Sequence, residues 1–158
     1  MRQCDAFADI SLKEKCPKLR IVTELKTEQI LPSRIESITE AAEEATKIAG
    51  RSGFGEEALF GIDMAVREAV TNAVLHGNKQ DETKRVVIGY TTSDSGLVIT
   101  VRDSGTGFDP AAVPDPTDAQ NLLKASGRGI LFMRNFMDDV QWECHPEGGT
   151  VVRMTKRR

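Results

Sequence analysis

Glu68 and Asn72 stand four residues apart in the run Glu68-Ala-Val-Thr-Asn72-Ala-Val-Leu-His76-Gly77. Four residues make about one helical turn, so on a helix the two side chains share a face and converge on one bound object. A carboxamide oxygen is a hard ligand, suited to a magnesium ion that keeps most of its waters, and a carboxylate can orient or deprotonate a nucleophile. A magnesium–nucleotide satisfies both groups. Ala58, Ile62, Ala65, Val66, Ala69, Val70, Ala73 and Val74 recur around the pair at helical spacing, so a buried helix carries this polar seam along one edge.

Two glycine segments lie downstream, Asp103-Ser104-Gly105-Thr106-Gly107 after a β-rich run and Ser126-Gly127-Arg128-Gly129 ahead of Ile130-Leu131-Phe132-Met133. Neither fits GxxxxGK[ST] or GxGxxG, which excludes a P-loop and a dinucleotide-binding Rossmann turn. Both let backbone approach a ligand closely. The Asp103 carboxylate can accept a hydrogen bond from the exocyclic amine of adenine, where guanine presents a carbonyl with no hydrogen to give; that selects ATP over GTP. At the second segment, unpaired N–H groups at a helix start favour phosphate, and Lys124 and Arg128 add positive charge.

The elements that must position these groups follow from pattern. Leu19 to Leu25 predicts a strand, Thr27 to Pro32 a connection, and Leu31, Ile35, Ile38, Ala42, Ala45 and Ala49 a helix that ends at Gly50 and Gly53. A second helix runs from Gly55-Glu56-Glu57 to His76-Gly77, with Gly77 and Asn78 suited to its C-terminal cap. Arg85 to Thr92 and Leu97 to Asp103 form a hairpin around Ser93-Asp94-Ser95-Gly96. Residues 109–126, with Pro110, Pro114 and Pro116, predict a long loop of the kind that serves as a lid. Gly129 to Phe136 predicts a helix, and Val140 to Cys144 with Thr150 to Met154 a second hairpin. The order gives an α/β two-layer sandwich, a mixed β-sheet with helices on one face.

A chain of 158 residues is long enough for one domain that needs no disulfide or metal to hold its core. Residues 1–18 are aperiodic and predict a poorly ordered leader ahead of a single domain over 19–158. The formal charge of −3 gives no general attraction to nucleic acid or anionic lipid, and Lys156-Arg157-Arg158 suits a solvated tail. Cys4, Cys16 and Cys144 form no CxxC or Cys/His cluster and suit reduced thiols. There is no signal-peptide pattern and no apolar window long enough for a membrane span, so a cytoplasmic location is expected.

In chain order, the Glu/Asn helix, the strand-end DxGxG, the lid and the GxG helix resemble the N, G1 and G2 boxes of the GHKL ATP-binding superfamily, which includes gyrase, histidine kinases and MutL. The segments EAVTNAVLHG, DSGTGFDP and SGRGILFMRNFMDDV are most similar to its anti-sigma-factor serine kinases. The resemblance covers roughly residues 19–155. It implies a Bergerat fold, ATP and Mg2+, and phosphorylation of a partner's serine. It makes Glu68 the catalytic base and Asn72 the magnesium ligand, with Asp103 on adenine and Gly105 and Gly107 shaping its pocket. Gly127, Arg128 and Gly129 face the phosphates, and Thr150 supports the adenine through its hydroxyl and water. The implied partners are a sigma factor and an anti-anti-sigma protein of the STAS type, with a homodimer through the first strand and helix. A carboxylate beside Asn72 favours the kinase over an interaction module that binds ATP without transferring phosphate. A detached histidine-kinase catalytic domain ranks third, since His76 and His145, the two histidines of the chain, both fall inside the ATP-binding region.

Overall fold

The computed structural model of the chain describes residues 24–106 and 128–158, Arg128 by its backbone alone. The leader, the lid, Gly107, Lys124 and Gly127 lie outside the described residues. In order the elements are β1 (Leu25–Pro32), α1 (Glu36–Arg51), α2 (Glu56–Thr71) continued by a π-helical turn (Asn72–Gly77), β2 (Arg85–Ser93), β3 (Gly96–Arg102), α3 (Arg128–Phe136), β4 (Asp139–Cys144) and β5 (Thr150–Arg157). The five strands form one sheet in the order β1-β2-β3-β5-β4. The two-layer α/β sandwich expected from the sequence is present. Its sheet, expected to be mixed, has every described pairing antiparallel.

The first strand corrects the sequence-based expectation. Thr27 to Pro32, expected to connect, lies within β1, which pairs with β2 from Leu25 opposite Thr92 to Pro32 opposite Arg85. Cross-strand partners decide strand formation more than local propensity does, and here β2 supplies them. Pro32 is tolerated because β1 is an edge strand. Leu31 and Pro32, expected to open the first helix, therefore close the strand, and α1 begins at Glu36. The Ser37 hydroxyl donates to the Pro32 carbonyl at 2.7 Å and fixes the corner between them. Ile35, expected on the buried face, is 59% exposed.

The core lies between the helices and one face of the sheet. Val86, Ile88 and Tyr90 of β2, Leu97, Ile99 and Val101 of β3, and Val152 and Met154 of β5 alternate inward with the period of two that a half-covered sheet requires. Small residues line the buried side of α1 (Ala41, Ala42, Ala45, Ala49), which lets α2 approach closely with Ile62, Ala65, Val66, Ala69 and Val70. Against α2 lies α3. A Cβ built on Gly61 would sit 3.2 Å from the Phe136 ring, and one on Gly129 would strike the Glu68 carboxylate. As α2 runs from 61 to 68, α3 runs back from 136 to 129, so the two helices are antiparallel with a glycine at each crossing. The Lys156 ammonium donates to the Phe136 carbonyl at 2.8 Å, a cation at the helix C-terminus where the macrodipole favours it.

Among the described residues Tyr90 is the largest fully buried side chain. Its hydroxyl lies 2.9 Å from Gln29 Oε1 and 3.2 Å from the Ala41 carbonyl, so one proton serves β1 or α1 from β2. Burial, with a smaller contribution from Glu44, holds the phenol above its ordinary pKa, so it remains a donor through the usual pH range. Tyr90→Phe leaves both acceptors without this donor and is expected to lower stability by about 0.5–1.5 kcal/mol. Urea melts test this: the midpoint should fall while the slope stays at the parental value, since the exposed surface is unchanged.

Candidate functional site

Glu68 lies on the last turn of α2 and Asn72 opens the π-helical turn, so the chain places the pair on one helix edge as its spacing predicts. In the π turn the Asn78 N–H donates to the Ala73 carbonyl, five residues back, at 2.8 Å. Such turns re-aim the residues around them and often mark functional sites. Glu68 is half-buried. Desolvation pushes its carboxyl above the ordinary range, and the nearby His76 pulls it partly back. Gly129, buried at the start of α3, presses its backbone onto the Glu68 carboxylate, and any side chain there would displace it. The second glycine segment thus meets the Glu/Asn helix, although the two are about sixty residues apart in sequence.

Asp103 follows β3 and is 6% exposed. Its Oδ1 accepts the N–H of Gly105 at 2.8 Å and of Thr150 at 3.2 Å, and its own N–H donates to the Thr150 carbonyl at 3.1 Å. A buried carboxylate requires such donors. The Oδ2 side faces Gly77, where an added Cβ would lie 2.5 Å from that oxygen. Gly105 in turn packs against the Gly77 backbone, and Gly149 against the Asp103 carbonyl. Asp103, Gly105 and Thr150 are therefore brought together, as are Glu68 and Gly129, with Asn72 one helical turn beyond Glu68. Thr150 makes its contacts to Asp103 through its backbone, where the sequence pointed to its hydroxyl. Gly107, Gly127 and the Arg128 side chain lie outside the described residues.

Sequence reasoning assigned Gly77 and Asn78 to a helix cap and left Gly149 without a role. Gly77 and Gly149 give Asp103 its room, and Asn78 is fully buried, with Nδ2 donating to the Arg85 carbonyl at 3.1 Å and Oδ1 accepting the Ser104 N–H at 2.8 Å. The available signal was a polar residue next to two that leave the helix. Lys79 and Gln80 both have left-handed backbone, φ 56° and 57°, a conformation that costs a non-glycine residue on the order of 1–2 kcal/mol.

Arg67 pairs with Asp63 at 2.8 Å on the α2 surface. His145 lies in the β4–β5 turn, its Nδ1 accepting the Glu147 N–H at 3.1 Å. Cys144 is an exposed thiol at the end of β4. Among the described residues no group of three or more His, Cys, Asp or Glu side chains forms a metal cage, and a magnesium ion shared with phosphates and water needs only one or two protein oxygens. The Asn72 amide oxygen has the hardness for that. Among the described residues no helix is long and apolar enough to cross a membrane.

The order of these elements and the two glycine contacts around one helix define the class. The chain belongs to the histidine kinase-like ATPase domain family, which it matches over residues 31–156. It is 41% identical over 101 residues to the anti-sigma F factor of Bacillus subtilis (strain 168), an alignment covering 62% of this chain and 68% of that protein. It is 32% identical over 132 residues to the serine-protein kinase RsbW of Listeria monocytogenes, covering 80% of this chain and 83% of that one. The fold is shared with the solved structure of the RsbU and RsbW domains of a Mycobacterium tuberculosis protein, at TM-score 0.61 and 18% identity over 84% of this chain and 32% of that chain.

The raised Glu68 pKa makes a stability test. The folded chain holds this proton at pH values where the unfolded chain has released it, so the group costs stability as pH rises above the ordinary value of 4.5. Glu68→Gln removes that cost. Without nucleotide, the variant should match the parent in urea melts near pH 4 and become the more stable of the two as pH approaches 7.

Proposed function

We propose that this protein is an anti-sigma factor and an ATP-dependent protein serine kinase. It binds a sigma factor in one state and phosphorylates a serine of a STAS-type anti-anti-sigma protein in another. The observation that carries the kinase assignment is the half-buried Glu68 carboxylate, set beside Asn72 and seated against the α3 start. A module that only bound ATP would have no use for a desolvated base there. The names borne by its relatives, anti-sigma F factor and serine-protein kinase RsbW, support both halves of the assignment.

On this reading residues 19–158 are one ATP-binding domain. Asp103 receives the adenine amine, with Gly105, Gly107 and Thr150 around the base; Gly127, Arg128 and Gly129 face the phosphates. Asn72 holds magnesium, which when bound screens the phosphate charge. Glu68 accepts the proton of the partner's serine hydroxyl as its oxygen bonds to the γ-phosphorus. The bond from that phosphorus to the β,γ-bridging oxygen breaks and ADP leaves. The carboxyl, its pKa raised by desolvation, is a stronger base than an exposed glutamate. Gly129 keeps it in place.

A homodimer through β1 and α1 fits the edge position of β1 and the exposed Leu25, Ile30 and Ile35 along it. A cytoplasmic site of action follows from the two proposed partners.

Glu68→Gln keeps size but removes the base. It should retain ATP binding while transfer to the partner serine falls by about 10²–10⁴-fold. Asn72→Ala should instead weaken magnesium-dependent ATP binding. Radiolabelled phosphotransfer and calorimetry on both variants, with one STAS partner, separate the roles. Transfer by Glu68→Gln at the parental rate would leave an ATP-binding interaction module as the better description. Gly129→Ala, which must push the Glu68 carboxylate aside, should lose up to about 10²-fold in transfer measured at saturating ATP, as a misplaced catalytic group does.

A further inference from the structure

We infer that Asn78 is a positioning residue for nucleotide recognition, holding Asp103 at the place where the base is read and tying that place to the Asn72 end of α2. The inference rests on the proposed adenine contact of Asp103.

Asn78 has no exposed surface and both ends of its amide are used. Oδ1 accepts the Ser104 N–H at 2.8 Å, one residue beyond Asp103, and Nδ2 donates to the Arg85 carbonyl at 3.1 Å, at the start of β2. Its own N–H closes the π turn on Ala73 at 2.8 Å. One residue therefore joins three segments that sequence keeps apart: the helix end that begins at Asn72, the first residue of β2, and the loop leaving β3.

Asp103 needs this clamp because its other anchors all come from one side. The Gly105 and Thr150 N–H groups both go to Oδ1, and the backbone pair is also with Thr150. Those bonds fix the carboxylate to β5 and to its own loop. Toward Gly77, the helix residue that Oδ2 faces, the loop makes packing contact at Gly105. The Asn78 amide adds the directional hold, since it sits next to Gly77 in the chain and grips Ser104 next to Asp103. The chain tolerates two successive left-handed residues, Lys79 and Gln80, immediately after it. Backbone in such a conformation persists only where its surroundings over-determine it, and Asn78, with the Gln80 N–H donating to the Val74 carbonyl at 2.8 Å, is what determines it here.

The test is competition calorimetry on the full chain with magnesium and ATP or GTP, for Asn78→Ser, Asn78→Asp and, as reference, Asp103→Asn. Asn78→Ser should bind ATP with a stoichiometry near one, a Kd raised about tenfold, the consequence of losing roughly one buried hydrogen bond, and an ATP-over-GTP preference narrowed by a similar factor. A purely structural role would lower the unfolding midpoint and the competent fraction while leaving the Kd of the folded fraction and the base preference at parental values; that result overturns the inference. Should Asn78→Ser fail to fold, Asn78→Asp, which keeps the acceptor for Ser104 and loses the donor to Arg85, is read by the same two quantities. If Asp103→Asn loses the preference and both Asn78 variants keep it, the inference about Asn78 falls alone. If Asp103→Asn itself keeps the parental preference, the adenine assignment falls and this inference with it.

Discussion

A carboxylate almost out of reach of solvent is the constraint on which the ligand-facing half of the molecule depends. Asp103 is 6% exposed, and a carboxylate so placed must be met by hydrogen-bond donors. The donors are backbone N–H groups of Gly105 and Thr150, so β3 and β5 must be neighbours, which places a crossover between them and leaves β4 at the edge. Three glycines, Gly77, Gly105 and Gly149, are needed because the backbone around the carboxylate is packed at distances that no side chain could enter. The cost of this arrangement appears next to it, in the left-handed backbone of Lys79 and Gln80.

The helix α2 meets two demands at once. Its apolar side closes the core against α1 and the sheet, and its polar edge carries Glu68 and Asn72. A regular α-helix keeps both faces in register for its whole length. The π turn at Asn72–Gly77 breaks that register by one residue, bringing Gly77 opposite Asp103 while Val74 stays buried. The antiparallel course of α3, with glycine at both crossings, lets one helix start beside Glu68 and end on the core near Phe136. On the proposed function, base and metal ligand hang from this one helix and the adenine acceptor, Asp103, packs against its end at Gly77.

Much of the sandwich was legible in the sequence, and for local reasons. The hairpin at Ser93–Gly96, the helices over Glu56–Gly77 and Arg128–Phe136, and the second hairpin each follow from spacing within a few residues. So did the convergence of Glu68 and Asn72, which one helical turn dictates. Asp103 and the two glycine segments stood out because rigid turns and a strand-end carboxylate are uncommon without a use.

What the chain could not announce by itself lies in contacts between distant segments. The first strand falls at Leu25–Pro32 because β2 offers it a full ladder of partners, against the local preference of residues 19–25. Asn78 looked like a cap because its side chain's partners, Arg85 and Ser104, are 7 and 26 residues away. Gly77 looked like a cap, and Gly149 had no role, because the carboxylate they make room for belongs to the end of another strand. Residue type and spacing picked out the groups proposed to carry the chemistry of this protein; only the packed sheet and helices decided how closely they meet, since that distance is set by hydrogen bonds and excluded volume between segments that the sequence keeps apart.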